Sequence, residues 1–418
     1  MTKLGVIADD FTGATDIASF MVKAGWKVVL FNGVPADAFE ASQIDAIVIA
    51  LKSRSVPAAE AINQSLAASD WLQAQGCRRQ FFKYCSTFDS TAQGNIGPVT
   101  DALLENLNTP VTLLCPAVPD NGRTIVYGHL FVNGELLNES GMQHHPVTPM
   151  KESSLKKLME AQSAGACGLI SLDKVKNHPQ QLAAQLEALQ ANKVKYLIFD
   201  VLDNQDLLMV ARATATFPLV TGAAGLGYAI AALDTQSQNV TASKMHIDAQ
   251  GACVVLSGSC SSMTQKQVNL YQQRASSLAL DVEKIIHEAN YLHTVTQWVR
   301  AHADEALAPM VYATQPPQII ALIQKNYGAQ FVSEKIERFF AALAQSLSEA
   351  GFNKFIVAGG ETSGAVTQGL NIRGMVIGES VAPGVPWTQV LNEQKWVILK
   401  SGNFGNSDFF LKAQEHFQ

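Results

Sequence analysis

Short apolar, β-branched runs alternate with stretches of helical spacing from the first residues onward. Residues 4–8, 28–31, 46–51, 80–84 and 111–115 each pattern as a buried strand. Residues 15–24 and 58–75 carry apolar positions at helical intervals between them. This rhythm predicts βαβ units and a largely parallel sheet with helices on both faces. Residues 124–139 interrupt it and are expected to form a hairpin turning at Asn133-Gly134. The alternation resumes with strands at 167–171, 196–201 and 219–221. Residues 222–227 (GAAGLG) are expected to open a helix packed closely against the sheet.

The stretch 234–250 is the most polar and least periodic of the chain, and residues 235–250 are expected to link two domains, 1–234 and 251–418. A second βα series follows, with strands at 253–257, 278–280, 310–313, 355–358 and 396–399. The expected architecture is α/β throughout. Two α/β domains with mainly parallel sheets carry helices on both faces, and the active site lies in the interdomain cleft.

Composition narrows the class. With 47% hydrophobic and 16% charged residues the chain patterns as a well-packed globular protein, and its 418 residues exceed one ordinary core. A formal charge of −6 argues against nucleic acid or an anionic membrane as main partner, while a few local cations can still hold a small anion. The six cysteines show no paired spacing, which suits a reducing compartment. The N-terminal residues lack signal-peptide form, and the longest nearly apolar stretch, 222–233, is about half a membrane span. A soluble, cytoplasmic protein is expected.

In an open parallel sheet, ligands bind where strands end and helices begin. Polar residues gather at such ends in both halves. Asp9 and Asp10, followed by Thr12 and Gly13, can orient a polyol and take a hydroxyl proton; helix capping accounts for one of these carboxylates but less well for two. Arg54 could grip a carboxylate as a fork, or be a solvated loop residue. Lys83, Ser86, Thr87 and Asp89 form a polar nest after an apolar strand; turn chemistry explains the hydroxyls but not a lysine between Phe82 and Tyr84. In the second half, Ser257 to Ser261, Gly359-Gly360-Glu361-Thr362 and Ser401-Gly402 place small residues and hydroxyls where free N–H groups favour phosphate. Neither a P-loop nor a dinucleotide fingerprint occurs. His144-His145 lack a third ligand and are not expected to hold metal; residues 143–146 could belong to a substrate-side loop.

The runs ADDFTGATD (8–16), KYCSTFDST (83–91), LSGSCS (256–261) and AGGETSGAV (358–366), with the hairpin and the HHP segment, resemble the four-carbon acid sugar kinases from end to end. Within that family they are most similar to the branch acting on 3-oxo-tetronates, with D-threonate and D-erythronate 4-kinases as the nearest alternatives. The resemblance implies an acid-sugar domain followed by a nucleotide domain. ATP contacts would fall at Ser257, Gly359, Gly360, Glu361, Thr362 and Gly402, with Mg²⁺ carried mostly by ATP and water. Asp9, Arg54, Lys83, Ser86 and Thr87 would face the acid, and Asp10 or Asp89 would accept the proton of the 4-hydroxyl. The expected partners are a sugar acid and ATP, and a homo-oligomer is compatible with this reading. A sugar-acid sensor without turnover is the rival from another class. A nicotinamide oxidoreductase is disfavoured by the missing fingerprint.

Overall fold

A computed structural model describes residues 3–39, 43–144, 148–177, 181–238, 251–314 and 326–417. The chain divides into two compact units, 1–243 and 244–418.

In the first unit the uniformly apolar runs become strands buried on both faces, as the flanking helices of a parallel sheet require. β1 (Leu4–Ala8) and β3 (Ala46–Ala50) are buried at every position. With β2 (Val28–Asn32), β4 (Gln80–Lys83), β5 (Thr112–Cys115), β9 (Ala166–Ile170), β10 (Val194–Phe199) and β11 (Leu219–Gly222), they make a sheet in the order β2-β3-β1-β4-β11-β5-β10-β9. Every pairing in it is parallel. Helices α1 (Phe11–Lys23), α2 (Ala58–Ala74), α3 (Ile96–Asn106) and α8 (Ala224–Gln238) connect or cover these strands. α8 begins inside the glycine run as expected: a side chain at Gly222 or Gly225 would strike the carbonyl of Cys115 or Ala117.

Residues 123–136 differ from the single expected hairpin. They fold as a three-stranded meander, β6 (Arg123–Val126), β7 (His129–Val132) and β8 (Glu135–Leu136). Asn133-Gly134 forms the expected turn, and Tyr127-Gly128 forms a second one, with positive φ at all four residues. Two-residue turns of this hand match strand twist, and a tyrosine in the first position concealed one of them from the sequence reading.

The second unit repeats the logic with a different edge. β13 (Ser277–Ala279), β14 (Met310–Tyr312), β12 (Ala252–Ser257), β15 (Phe352–Ala358) and β18 (Trp396–Lys400) are parallel in that order. β17 (Val385–Val390) and β16 (Gly374–Ala382), absent from the sequence reading, continue the sheet as an antiparallel hairpin. Val255, Tyr271, Ile356, Trp387, Ile398 and Phe410 pack one core beside this sheet. α9 (Ser262–Tyr271) follows β12, α12 (Ala329–Glu349) precedes β15, and α13 (Gly360–Gly369) follows it. Of the expected linker, 235–238 lie in α8 and 239–250 lie outside the described residues.

Candidate active site

The parallel register of the first unit aligns the carboxyl ends of β1, β3 and β4, since Ala8 is level with both Ala50 and Lys83. Their exits are knitted together by backbone bonds: Asp9 N–H donates to the Lys83 carbonyl, and the amides of Ser53 and Arg54 donate to the Asp9 carbonyl. Asn95 holds the 53–56 loop from the other side, its amide donating to the carbonyls of Ser53, Arg54 and Val56. Residues 39 and more apart in sequence are thereby brought to one place.

The Arg54 guanidinium forks onto Asp9, with Nε–Oδ2 at 2.9 Å and Nη2–Oδ1 at 2.7 Å, and Nη2 also lies 2.9 Å from Asp10 Oδ1. Burial pushes the Asp9 carboxyl up while Arg54 opposes that shift. Burial likewise works against the Arg54 charge, but Asp9 and then Asp10 outweigh it and raise the guanidinium. These two directions conflict over the state of Asp9. Two short, parallel N–H···O contacts fit an ionised pair, and we assign it as one.

Asp10 is also the N-cap of α1, accepting from Gly13 N–H at 2.7 Å. Capping therefore explains Asp10, and the arginine pair explains Asp9. Gly13 is needed for space: a Cβ there would lie 2.5 Å from Asp10 Oδ1, 3.2 Å from Lys83 Nζ and 3.7 Å from Arg54 Nη2. Its absence leaves a notch facing two cations. Lys83 is buried at the end of β4, its ammonium donating to the Tyr84 carbonyl at 2.9 Å. Asp16, one turn along α1 from Gly13, sits 3.9 Å from Lys83 Nζ.

Beyond Lys83 the chain turns through Phe88, which has a positive φ and is fully buried. Thr87 donates to Asp89 at 2.5 Å and contacts the Cys85 thiol, so it orients the Asp89 carboxylate; Ser86 is half-buried beside it. Burial, with Asp89 adding to it, pushes the Cys85 thiol up to about 11, which leaves it a poor nucleophile.

In the second unit three turns converge at the ends of β12, β15 and β18. A Cβ on Gly258 would meet Thr362 Oγ1 at 2.2 Å, and one on Gly402 would meet Ser259 Oγ at 2.4 Å. Gly359, at φ 124°, precedes α13 in a conformation that disfavours any side chain. Among the described residues no side chain caps the N-terminus of α13, whereas Ser261 caps α9. The first turn of α13 thus presents uncapped N–H groups, and Gly360 has clear space beside it. Glu361 is exposed there and accepts from Ser333 Oγ at 3.4 Å, while Thr362 is buried. Ser257 is placed differently from a ligand contact. Its hydroxyl is fully buried against Thr314 Oγ1 at 3.0 Å, and Thr314 in turn donates to the Ser259 carbonyl. Ser257 supports the turn from behind.

The sequence reading missed Asp16, Arg123, Asn95 and Lys400. Lys400 had a visible signal, since WVILK ends an apolar strand on a lysine just as QFFK does. Its buried ammonium donates to Thr264 Oγ1 and to the carbonyls of Ser401 and Gly402, and burial pushes it down to about 8. His144 ends the 3₁₀ turn Gly141–His144, and His145 and Pro146 lie outside the described residues. Among the described residues no three His, Cys, Asp or Glu side chains converge as a metal site, and no helix is long and apolar enough to cross a membrane.

Residues 4–230 match the family described as "Sugar-binding N-terminal domain" and residues 254–410 match "Nucleotide-binding C-terminal domain". An α/β protein that binds a sugar with one half and a nucleotide with the other is the class so defined. A Brucella melitensis protein named 3-oxo-tetronate kinase is 50% identical over 99% of this chain and 95% of its own length. A Haemophilus influenzae protein of the same name is 50% identical over 99% and 100%. A crystal structure of a Haemophilus influenzae protein superposes with a TM-score of 0.91 at 50% identity, covering 99% of this chain and all of that one. The chain belongs to the four-carbon acid sugar kinase family and resembles its 3-oxo-tetronate kinase members along its whole length.

Proposed function

We propose that this chain transfers the γ-phosphoryl group of ATP to the 4-hydroxyl of a 3-oxo-tetronate, giving the 4-phosphate and ADP. The observation that carries the reading is the pairing of two strand-end clusters, one in each matched domain. The first gathers Arg54 and Lys83 with Asp9, Asp10 and Asp89 around the Gly13 notch. The second gathers the glycine turns around the uncapped start of α13.

A tetronate is a small anion with hydroxyls at known spacing. Lys83 and the part of Arg54 not engaged by Asp9 supply the positive field for its carboxylate. Asp10, which accepts from Gly13 N–H and lies against Arg54, and Asp89, which accepts from Thr87, present remaining lone pairs to its hydroxyls, with Ser86 and Thr87 beside them. On the nucleotide side, Gly359, Gly360, Glu361 and Thr362 offer backbone N–H groups and a helix dipole to phosphate, with Gly402 and the Ser257-backed turn alongside. Magnesium fits as an ion carried on phosphate oxygens and water, with the exposed Glu361 carboxylate within the same turn; when bound it neutralises phosphate charge. Phosphoryl transfer needs alignment and charge cancellation more than covalent help. The free, largely buried thiols suit residence in the cytoplasm.

ADP release is measured with Mg-ATP and a panel of both 3-oxo-tetronates, D- and L-threonate and D-erythronate. Turnover confined to the oxo-acids is expected. Preference for a plain threonate or erythronate would keep the kinase and move the substrate, and ligand binding without ADP release would make the chain a sensor.

A further inference from the structure

Four carboxylates surround the strand-end cluster of the first unit, and their hydrogen bonds distinguish them. Asp9 is engaged by the fork of Arg54. Asp10 accepts from Gly13 N–H and lies against Arg54, and Asp89 accepts from Thr87. Asp16 differs: among the described residues its carboxylate accepts no hydrogen bond, although 27% of its side-chain surface is accessible. Its carboxylate faces Lys83 at 3.9 Å, too far for a hydrogen bond yet close enough for a hydroxyl to touch both groups. The notch left by Gly13 lies beside the same Lys83 ammonium.

We propose that Asp16 is the general base of the transfer, taking the proton of the acceptor hydroxyl while Lys83 donates to the same oxygen. This rests on the kinase reading above. The hydroxyl O–H bond breaks and its proton passes to Asp16. The oxygen forms the new bond to the γ-phosphorus as the bond from that phosphorus to the bridging oxygen of ADP breaks. Asp16 then returns the proton to water. Asp10 and Asp89 orient the acid, so the role expected of one of them passes to a residue six positions along α1 from its cap.

Among the described residues the charges acting on Asp16 are those of Lys83 from β4, Asp10 from the N-cap and Arg123 from β6. Burial lifts the Asp16 carboxyl, Lys83 opposes the lift, Asp10 adds to it and Arg123 opposes it; the net direction is up. A base must be ionised to act, so turnover falls as pH drops through a value above the ordinary carboxylate range.

The test uses the full chain with whichever acid of the panel it phosphorylates. Asp16→Asn is expected to lower kcat about a hundredfold or more, with the ATP KM unchanged and the acid KM within about threefold. The acidic limb of its residual activity disappears. Asp10→Asn and Asp89→Asn are expected to raise the acid KM more than they lower kcat, and to keep that limb. Asp16→Glu, which retains the carboxylate on a longer stem, restores part of kcat and shifts the limb; it serves if the asparagine variant does not fold. Wild-type kcat in Asp16→Asn would overturn the assignment, as would an acidic limb left unshifted in Asp16→Glu or lost only in Asp89→Asn. A wild-type chain silent on every acid would overturn the kinase reading itself, and the base with it.

Discussion

Arg54 joins stability and recognition in one side chain. Its fork satisfies both oxygens of Asp9 and still reaches Asp10, which an ammonium on a flexible stem cannot do. Arg54→Lys therefore keeps the charge but leaves a buried carboxylate short of donors, a loss of about 1–3 kcal/mol. We expect a lower melting temperature and an acid KM raised at least about tenfold, with the ATP KM unmoved. Melting curves and ADP-release kinetics measure both, and wild-type acid affinity in this variant would show that Arg54 serves the fold alone. An arginine just past the third strand was visible in the sequence as a candidate. Its partner was not visible, because the contact with Asp9, 45 residues away, depends on β1 and β3 lying side by side in parallel register. Asp16 was hidden for a related reason. It stood within the quoted motif, but only a helix beginning at Phe11 brings it beside Lys83.

At the level of elements, the parallel strands were legible because burial on both faces writes a continuous apolar run. The β16–β17 hairpin was not. GMVIGESVA is broken by Gly378, Glu379 and Ser380, and the pair departs from the βα rhythm that identified the others. Glycine turns in the second unit were legible individually, while the lysine beneath them was overlooked. Lys400 ends β18 and fastens the 401–402 turn to α9 through Thr264. With its folded-state value near 8 and an ordinary lysine value of 10.5, the unfolded chain holds this proton over a range where the folded chain has released it. Stability from this group therefore rises as pH climbs from about 8 to about 10.5, by up to about 3 kcal/mol. The difference in unfolding free energy between wild type and Lys400→Met, taken from urea titrations at pH 8 and pH 10, should shift in favour of wild type at the higher pH. A difference independent of pH would show that the ammonium keeps its proton throughout. The same variant should weaken ATP about tenfold, because the Gly402 carbonyl loses its anchor.

Across the whole molecule, each compact unit carries its own strand-end cluster. The sequence leads to an expectation of two domains because a chain of this length exceeds one core and polar stretches such as residues 234–250 commonly separate cores. Separate clusters have a consequence for binding. Among the described residues Arg54 and Lys400 share no hydrogen-bond partner, so the effect of each on affinity should be confined to its own ligand. Titration calorimetry with ATP alone should give Arg54→Lys the wild-type Kd within about twofold, and titration with the acid alone should do the same for Lys400→Met. In the double variant the two losses should add in free energy. Thermal stabilisation provides a second readout, because a ligand at about 100 times its Kd adds about 2.7 kcal/mol to the state that binds it. ATP should therefore still protect the Arg54→Lys chain to the wild-type extent. A tenfold change of ATP affinity in that variant would show that the acid-binding cluster biases the nucleotide site before any acid arrives, and the two halves would then have to be treated as one coupled binding system.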